Sequence, residues 1–370
     1  NMSLKTKLIS RISKINKIKI FTFKHNLKAI INLNKKKFNG FLSNSSNLTD
    51  HFIVHENRLS NDFYGIASAL KKYSGYNKKL PLFIEHGVYF GDFVNEEEIS
   101  GLSPGLITFG DVRKKHIKLK ADIPVICIGP YIKYVESYFS DKVKNEIKKK
   151  YGKILLVFPQ HTIEGVAIKD NDELFINKIN EIKEKKKCDN VFISLYYREA
   201  RGKYYELYKK NGFIPICCGN RQDPNFLPRL KSFIECSELT LSNNVGTHVG
   251  YCYALGKEHI IIDSQNSLSI QNKKYQKNVP ELYLELAKFE KKEIKKAYTH
   301  GNGNDIKRVI CKYWGNNYFY SKEEMKLLFE TFDRVIKRSK RKKVSYQAAL
   351  KATLKEDITI KKLFERKKIL

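Results

Sequence analysis

Residues 237–263 read SELTLSNNVGTHVGYCYALGKEHIIID, and this stretch decides the fold class. A short apolar run at 239–241 ends in a polar turn at 242–244. Gly246 and Thr247 then open a predicted helix, which Gly256 ends, and a second apolar run follows at 260–262. Strand, polar turn, short helix and strand together form one α/β unit.

The start of the predicted helix favours an anionic ligand. Free backbone N–H groups and the helix dipole make a helix N-terminus attractive to phosphate. Ser242, Asn243 and Thr247 add polar side chains beside Gly246. The simpler alternative is that Ser242 or Asn243 only caps the helix.

Outward from this stretch, apolar runs of strand length alternate with helical segments. Such alternation is typical of parallel, doubly wound sheets. The pattern divides near residue 150. We expect an N-terminal α/β domain at 1–148, a second α/β domain at 149–320, and basic C-terminal helices at 321–370.

Polar side chains follow four predicted strands of the second half. These are His161, Tyr197 with Arg198, Arg221, and Ser242 with Asn243. Ligands of open α/β sheets bind at the carboxyl ends of the strands, so these groups suit a nucleotide phosphate. His161 could instead cap a helix or lie in the core, and Arg221 could pair with Asp223.

One strand end of the first half combines a carboxylate with an imidazole. Glu85 and His86 precede Gly87 at the end of an apolar run, and Asp92 follows shortly after. A general base needs such a position, because the sheet fixes the side chain and burial tunes its pKa. We interpret Gly87 and Asp92 as acceptor-side residues. The alternative is a histidine packed beneath a loop with Glu85 in a surface ion pair.

The charge is strongly basic, with 70 Lys and Arg against 39 Asp and Glu and a formal net charge of +31. Both termini hold dense basic stretches, including KRSKRKK at 337–343. Nucleic acid, an anionic membrane and a polyanionic substrate are all possible partners. No nucleic-acid-binding motif accompanies the charge, so we favour an anionic membrane surface and expect no nucleic acid.

Several other function classes lack their motifs. The chain has no G-x-x-x-x-G-K-[ST] loop and no G-x-G-x-x-G after a leading strand. Its seven cysteines form no C-x-x-C pair, so we expect buried free thiols and a cytoplasmic, peripheral location. The sequence D-N-D at 170–172 is interpreted as a helix start, and we expect no cofactor and no metal.

The order of these motifs resembles the GT-B glycosyltransferases of bacterial surface polymers. That group includes Kdo transferases, polysialyltransferases and teichoic-acid glycerophosphotransferases. The resemblance implies two Rossmann-like, doubly wound domains facing a cleft. It implies a base at Glu85 or His86, and donor-phosphate binding by His161 and the segment from Ser242 to Thr247. Pro159 precedes His161 where the group has a following proline, and Asn243 replaces a second hydroxyl.

The resemblance therefore predicts an inverting, metal-independent glycosyltransferase. Its donor is a nucleotide-activated sugar, with a CMP-linked acidic sugar as one candidate. Its acceptor is a lipopolysaccharide or capsular glycan, expected to be lipid-linked, and the resemblance implies a cytoplasmic protein that is peripheral on the inner face of the bacterial inner membrane. Arg221 assists at the phosphate. Two alternatives stay open: transfer of a glycerophosphate-type unit from a CDP-linked donor, and a non-catalytic protein that binds polyanions or nucleic acid.

Overall fold

The computed structural model describes residues 59–160, 166–169, 172–200, 202–262, 267–270 and 281–369. The segments 18–23 and 51–55, which the sequence predicts to be strands, lie outside these ranges, and so does His161, which is predicted to bind phosphate. Within them the chain is an α/β protein with parallel sheets, as the alternating pattern predicts.

A small parallel sheet forms in the first half of the chain. Its three strands follow sequence order, and each pairs with the next in parallel. They are β1 (Phe83–Ile84), β2 (Leu106–Thr108) and β3 (Val125–Cys127). All three are buried apolar runs, which is typical of strands covered on both faces.

A larger sheet of five parallel strands forms in the second half. Its strands are β4 (Ile154–Phe158), β6 (Asn190–Leu195), β7 (Ile214–Cys217), β8 (Leu239–Ser242) and β9 (Glu258–Ile261). Their spatial order is β7-β6-β4-β8-β9. The order reverses between β4 and β8, and such a switch point is where doubly wound sheets bind ligands.

A third, antiparallel pair joins β5 (Val166–Lys169) to β10 (Ser267–Ile270).

Twelve α-helices occupy the described part of the chain. Seven precede β9 along the chain: α1 (Ile66–Ser74), α2 (Asp111–Lys120), α3 (Asp141–Tyr151), α4 (Asp172–Lys185), α5 (Lys203–Lys210), α6 (Phe226–Cys236) and α7 (Thr247–Ala254). Five follow β10: α8 (Glu281–His300), α9 (Gly303–Trp314), α10 (Lys322–Lys342), α11 (Tyr346–Glu356) and α12 (Ile358–Arg366).

The C-terminal helices return to the first half of the chain. Gly315, just after α9, has φ +64°, and a Cβ there would lie 2.1 Å from the carbonyl oxygen of Phe109. Only glycine therefore allows these two backbones to approach. Farther along, the Tyr73 hydroxyl donates to the Tyr320 carbonyl oxygen at 2.9 Å. One apolar core contains side chains from both parallel sheets and from these helices.

Three segments differ from what their sequence pattern predicts. The spacing of apolar residues predicts one helix over 131–151, whereas the structure has a 3-10 turn, Tyr131–Tyr134, and then α3, which Ser140 caps by accepting from the N–H of Val143. The spacing also predicts a helix over 61–73, whereas the helix begins at Ile66 after a 3-10 segment. The polar stretch after residue 263 is predicted to be irregular, but it contains α8 and α9.

The cysteine prediction is confirmed. All seven are free thiols, and six of them are buried. Within the part of the chain that the structure describes, none of the helices combines the length and apolar character that a bilayer-spanning helix requires.

Candidate functional site

The strands at the switch point are tied together just beyond their carboxyl ends. The backbone N–H of Gln160, after β4, donates to Oδ1 of Asn243, after β8, at 2.7 Å. Asn243 is buried, so its predicted position at the phosphate site is fixed by the neighbouring strand. The next residue, His161, is outside the described chain.

Two loops from different sheets meet at the start of α7. Thr247, the first residue of α7, accepts a hydrogen bond at Oγ1 from the backbone N–H of Val88 at 3.0 Å. Gly87 lies beside it, and a Cβ at Gly87 would be 3.2 Å from the same oxygen. The loop that follows β1 therefore lies directly against the helix start predicted to bind phosphate. Gly246 precedes α7, and no side chain of the described residues caps this helix.

His86 lies in the same loop, surrounded by aromatic rings. Its ring centroid is 5.0 Å from that of Phe63 and 6.1 Å from that of Tyr64. The hydroxyl of Tyr89 lies 3.2 Å from its Nε2. These aromatic side chains partly bury the imidazole, which remains partly exposed to solvent.

Arg221, after β7, adds positive charge to this group. Its guanidinium carbon lies 4.9 Å from the ring centroid of Phe63, and its carbonyl oxygen accepts from the N–H of Tyr64. Burial and then the charge of Arg221 lower the pKa of His86 from 6.5 to about 4. The imidazole is therefore neutral at neutral pH, and one of its two ring nitrogens is unprotonated.

The alternative considered for Arg221, an ion pair with Asp223, is not formed in the described part of the chain. Asp223 instead accepts from the buried Arg229 at 2.6 Å. Among the described residues Arg221 makes no ion pair, so its charge is not offset by a carboxylate there. Arg198, the other cation at a strand end, is exposed and lies over the ring of Tyr197 at 5.7 Å.

Glu85 is placed differently from its neighbour His86. Its side chain is 0% exposed and forms a buried ion pair with Arg113 of α2. Nε of Arg113 is 3.2 Å from each carboxylate oxygen, and Thr108 donates its hydroxyl to Oε2. The Tyr131 hydroxyl donates to the Glu85 backbone oxygen at 2.7 Å. Both carboxylate oxygens accept hydrogen bonds, so the side chain of Glu85 is held in place at the end of β1.

Arg113 also hydrogen-bonds to the loop after β1. It donates to the carbonyl oxygen of Gly91 at 3.0 Å and to that of Phe93 at 2.7 Å. Asp92, between them, forms an ion pair with Lys120 at 3.2 Å. The predicted acceptor-side residues Gly87 and Asp92 therefore belong to one braced loop that also holds His86.

Ser242 does not face the same way as Thr247. It is fully buried, its hydroxyl donates to the carbonyl oxygen of Asn244 at 2.7 Å, and its oxygen is 3.0 Å from Nε2 of His259. Burial, followed by the nearby His248, holds the pKa of His259 well below its usual value. Ser242 thus stabilises the turn after β8 through buried hydrogen bonds, while Thr247 lies at the partly exposed end of that turn.

Sequence reasoning missed the segment that completes this group. Phe63 and Tyr64 were predicted to be helical, but Tyr64 adopts a left-handed conformation at φ +61°. Gly65, at φ +74°, lies so close to Pro224 that a Cβ would be 2.2 Å from its carbonyl oxygen. The available signal was Gly65 directly after this pair of aromatic residues, because a glycine so near a predicted helix start often marks a chain reversal.

The geometry joins a neutral imidazole, a guanidinium without an ion-pair partner among the described residues, and an uncapped helix start. We call this group, formed by His86, Arg221, Thr247, Phe63 and Tyr64, the junction cluster. A proton acceptor beside two anion-attracting groups suits a reaction in which a hydroxyl is deprotonated and an anion departs. No protein-family model matches this chain, and a search of curated proteins finds no match.

Proposed function

We propose that the protein is a group transferase that moves a sugar from a nucleotide-activated donor to a hydroxyl acceptor. The observation that carries the proposal is the position of His86, a neutral imidazole beside Arg221 and next to the start of α7. Two parallel sheets contribute to this position, one through the loop of His86 and the other through Arg221 and Thr247.

In the proposed reaction, the donor phosphate binds between Arg221 and the N-terminus of α7. Arg221 supplies a full positive charge, and the first N–H groups of α7 supply hydrogen-bond donors. Both interactions strengthen as negative charge develops on the leaving phosphate, so they stabilise the transition state more than the ground state. Asn243 and the chain after β4 lie at the adjoining switch point.

His86 removes the proton from the incoming hydroxyl. Its pKa of about 4 in the unliganded protein makes it a weak base, and part of that depression comes from Arg221. A bound anion offsets the charge of Arg221 and raises the pKa of His86 toward its ordinary value. The base therefore becomes effective when the donor is in place.

Glu85 has a supporting role in this proposal. It holds Arg113, and Arg113 holds the loop from Gly91 to Phe93 that continues from His86. We therefore assign the base to His86 and a positioning role to Glu85. The donor is proposed to be a nucleotide sugar, with CMP-linked acidic sugars first among the candidates, and the acceptor a bacterial surface glycan.

The test is a donor-hydrolysis assay in which water takes the place of the acceptor. CMP-, UDP- and GDP-linked sugars are supplied separately, and the released nucleotide is measured. We expect one donor to be turned over. His86→Asn should lower that turnover about 10²–10⁴-fold, the usual contribution of a general base. His300→Asn, at an exposed histidine, is the matched control.

Equal turnover by His86→Asn and the wild-type protein, with circular dichroism showing both folded, would remove His86 from the mechanism. Failure of every donor, together with no thermal stabilisation by CMP, CDP, UDP or GDP, would contradict the transferase proposal as a whole.

A further inference from the structure

Two exposed apolar side chains flank one ion pair on the surface. Leu119, near the end of α2, is 74% exposed, and Phe93 is 37% exposed. Their sequence neighbours Lys120 and Asp92 form the ion pair at 3.2 Å. The ion pair therefore joins the two segments that carry these exposed apolar side chains. Exposed apolar patches with a polar surround mark interaction sites.

A second contact brings the turn between α10 and α11 to the same region. Nε2 of Gln347, in α11, lies 3.2 Å from Oδ2 of Asp122, three residues after Leu119. Val344 lies three residues before Gln347 and is 40% exposed. Leu119, Phe93 and Val344 therefore belong to one region, joined by the pairs Lys120–Asp92 and Gln347–Asp122.

The same turn carries a dense positive charge. Lys340, Arg341, Lys342 and Lys343 are all exposed, and within the described chain none of them forms an ion pair. The preceding basic residues differ, since Lys337 pairs with Asp333 at 3.1 Å and Arg338 pairs with Glu356. We call the region formed by Phe93, Leu119 and residues 340–344 the basic apolar face.

We propose that the basic apolar face docks the protein on an anionic membrane surface. Lysine and arginine beside exposed apolar side chains is the combination that interfacial membrane binding uses, with charge attracting anionic lipid and apolar groups entering the headgroup boundary. Two of the three exposed apolar side chains are aliphatic. Single-stranded nucleic acid is instead bound on aromatic stacking platforms, so the composition favours lipid.

Docking would place the junction cluster close to the lipid surface. The ring of Phe93 lies 5.6 Å from that of Tyr89, and the Tyr89 hydroxyl lies 3.2 Å from Nε2 of His86. A lipid-linked acceptor could thus reach His86 while its lipid remains in the membrane. This consequence rests on the proposed transferase function, whereas the docking itself does not.

The experiment measures cosedimentation of the full chain with vesicles of phosphatidylcholine, with and without phosphatidylglycerol. We expect binding only to the vesicles that contain phosphatidylglycerol, and weaker binding as salt rises. Changing residues 340–343 together to Glu should weaken binding at least about tenfold. A matched control carries Glu at Lys142, Lys148, Lys149 and Lys185, which are exposed on α3 and α4 and give the same net charge. It should retain most of the binding.

A second variant tests the apolar part. Leu119→Ser should weaken binding severalfold, while Leu174→Ser on α4 should not. Three results would overturn the proposal: equal binding to both kinds of vesicle, equal loss in the two charge variants, or an RNA oligonucleotide that binds through residues 340–343 when vesicles do not. None of these results depends on donor turnover, so the docking proposal and the transferase proposal can be disproved independently of each other.

Discussion

The hydroxyl of Thr247 accepts a hydrogen bond from the backbone N–H of Val88 at 3.0 Å, across 159 residues of sequence. This contact joins the loop after β1 to the first residue of α7. It brings the predicted proton acceptor and the predicted phosphate site into one cluster, although they belong to different sheets.

Replacing Thr247 by Val removes this hydrogen bond while nearly preserving side-chain volume. The Val88 N–H then loses its partner at a partly buried position, which costs about 1–2 kcal/mol. We expect lower stability to urea and a larger loss of donor turnover, because the loop of His86 moves away from α7. Thr247→Ser keeps the hydroxyl and should restore both properties. A Val variant indistinguishable from wild type would show that the contact has no role.

Arg221 should account for part of the low pKa of His86, and burial for the larger part. Removing the positive charge with Arg221→Gln favours the protonated imidazole, so the pKa of His86 should rise part of the way from about 4 toward 6.5. The check is an NMR titration of the ring, with His86→Asn used for assignment. An unchanged pKa in Arg221→Gln would break the proposed coupling between the anion site and the base.

The same depressed pKa predicts how stability depends on pH. Between pH 6.5 and about 4 the unfolded chain binds a proton at His86 that the folded chain does not bind. The contribution of His86 is therefore present above pH 6.5 and is lost as the pH falls through this range. His259, whose pKa is also lowered, acts in the same direction. Urea titrations should show a shallower loss of stability on acidification in His86→Asn than in the wild-type protein.

Glu85→Gln should destabilise the fold strongly. It leaves the charge of Arg113 buried without its carboxylate, and breaking such a pair costs about 3–5 kcal/mol. Glu181→Gln breaks an exposed pair with Lys178 and should leave the unfolding midpoint nearly unchanged. If Glu85→Gln were as stable as wild type but inactive, Glu85 would act in the chemistry and not as a positioning residue.

Alanine substitutions at two glycines distinguish the stability cost of backbone strain from the cost of a steric clash. Gly65 and Gly75 both have left-handed φ values, +74° and +67°, at opposite ends of α1. A Cβ at Gly65 would lie 2.2 Å from the Pro224 carbonyl oxygen, whereas one at Gly75 meets nothing within 4 Å. Gly75→Ala should cost about 1–2 kcal/mol, the strain alone. Gly65→Ala should cost more and also lower turnover, since it displaces the segment carrying Phe63 and Tyr64.

The sequence predicted the parallel strands well because they are short apolar runs with polar ends. Residues 154–158 and 239–242 are examples. The C-terminal helices were harder to predict. The apolar face of α8 and α9 is interrupted by lysine, and their packing against the first half depends on contacts such as Gly315 with Phe109.

The candidate site was predictable only in part. His86, Arg221 and Thr247 follow apolar strands or begin a helix, and that pattern is visible in the sequence. The buried partner of Glu85 is not, because Arg113 lies 28 residues away in a charged segment that resembles a surface helix. The inward direction of Ser242 depends on His259, which only strand pairing brings beside it.

A crystal structure of the protein soaked with CMP, the nucleotide that the favoured donor releases, tests the junction cluster directly. We expect phosphate density between the Arg221 guanidinium and the first N–H groups of α7, within reach of the His86 ring. Ordered CMP bound elsewhere, with Arg221 and Thr247 unchanged, would contradict the proposed site.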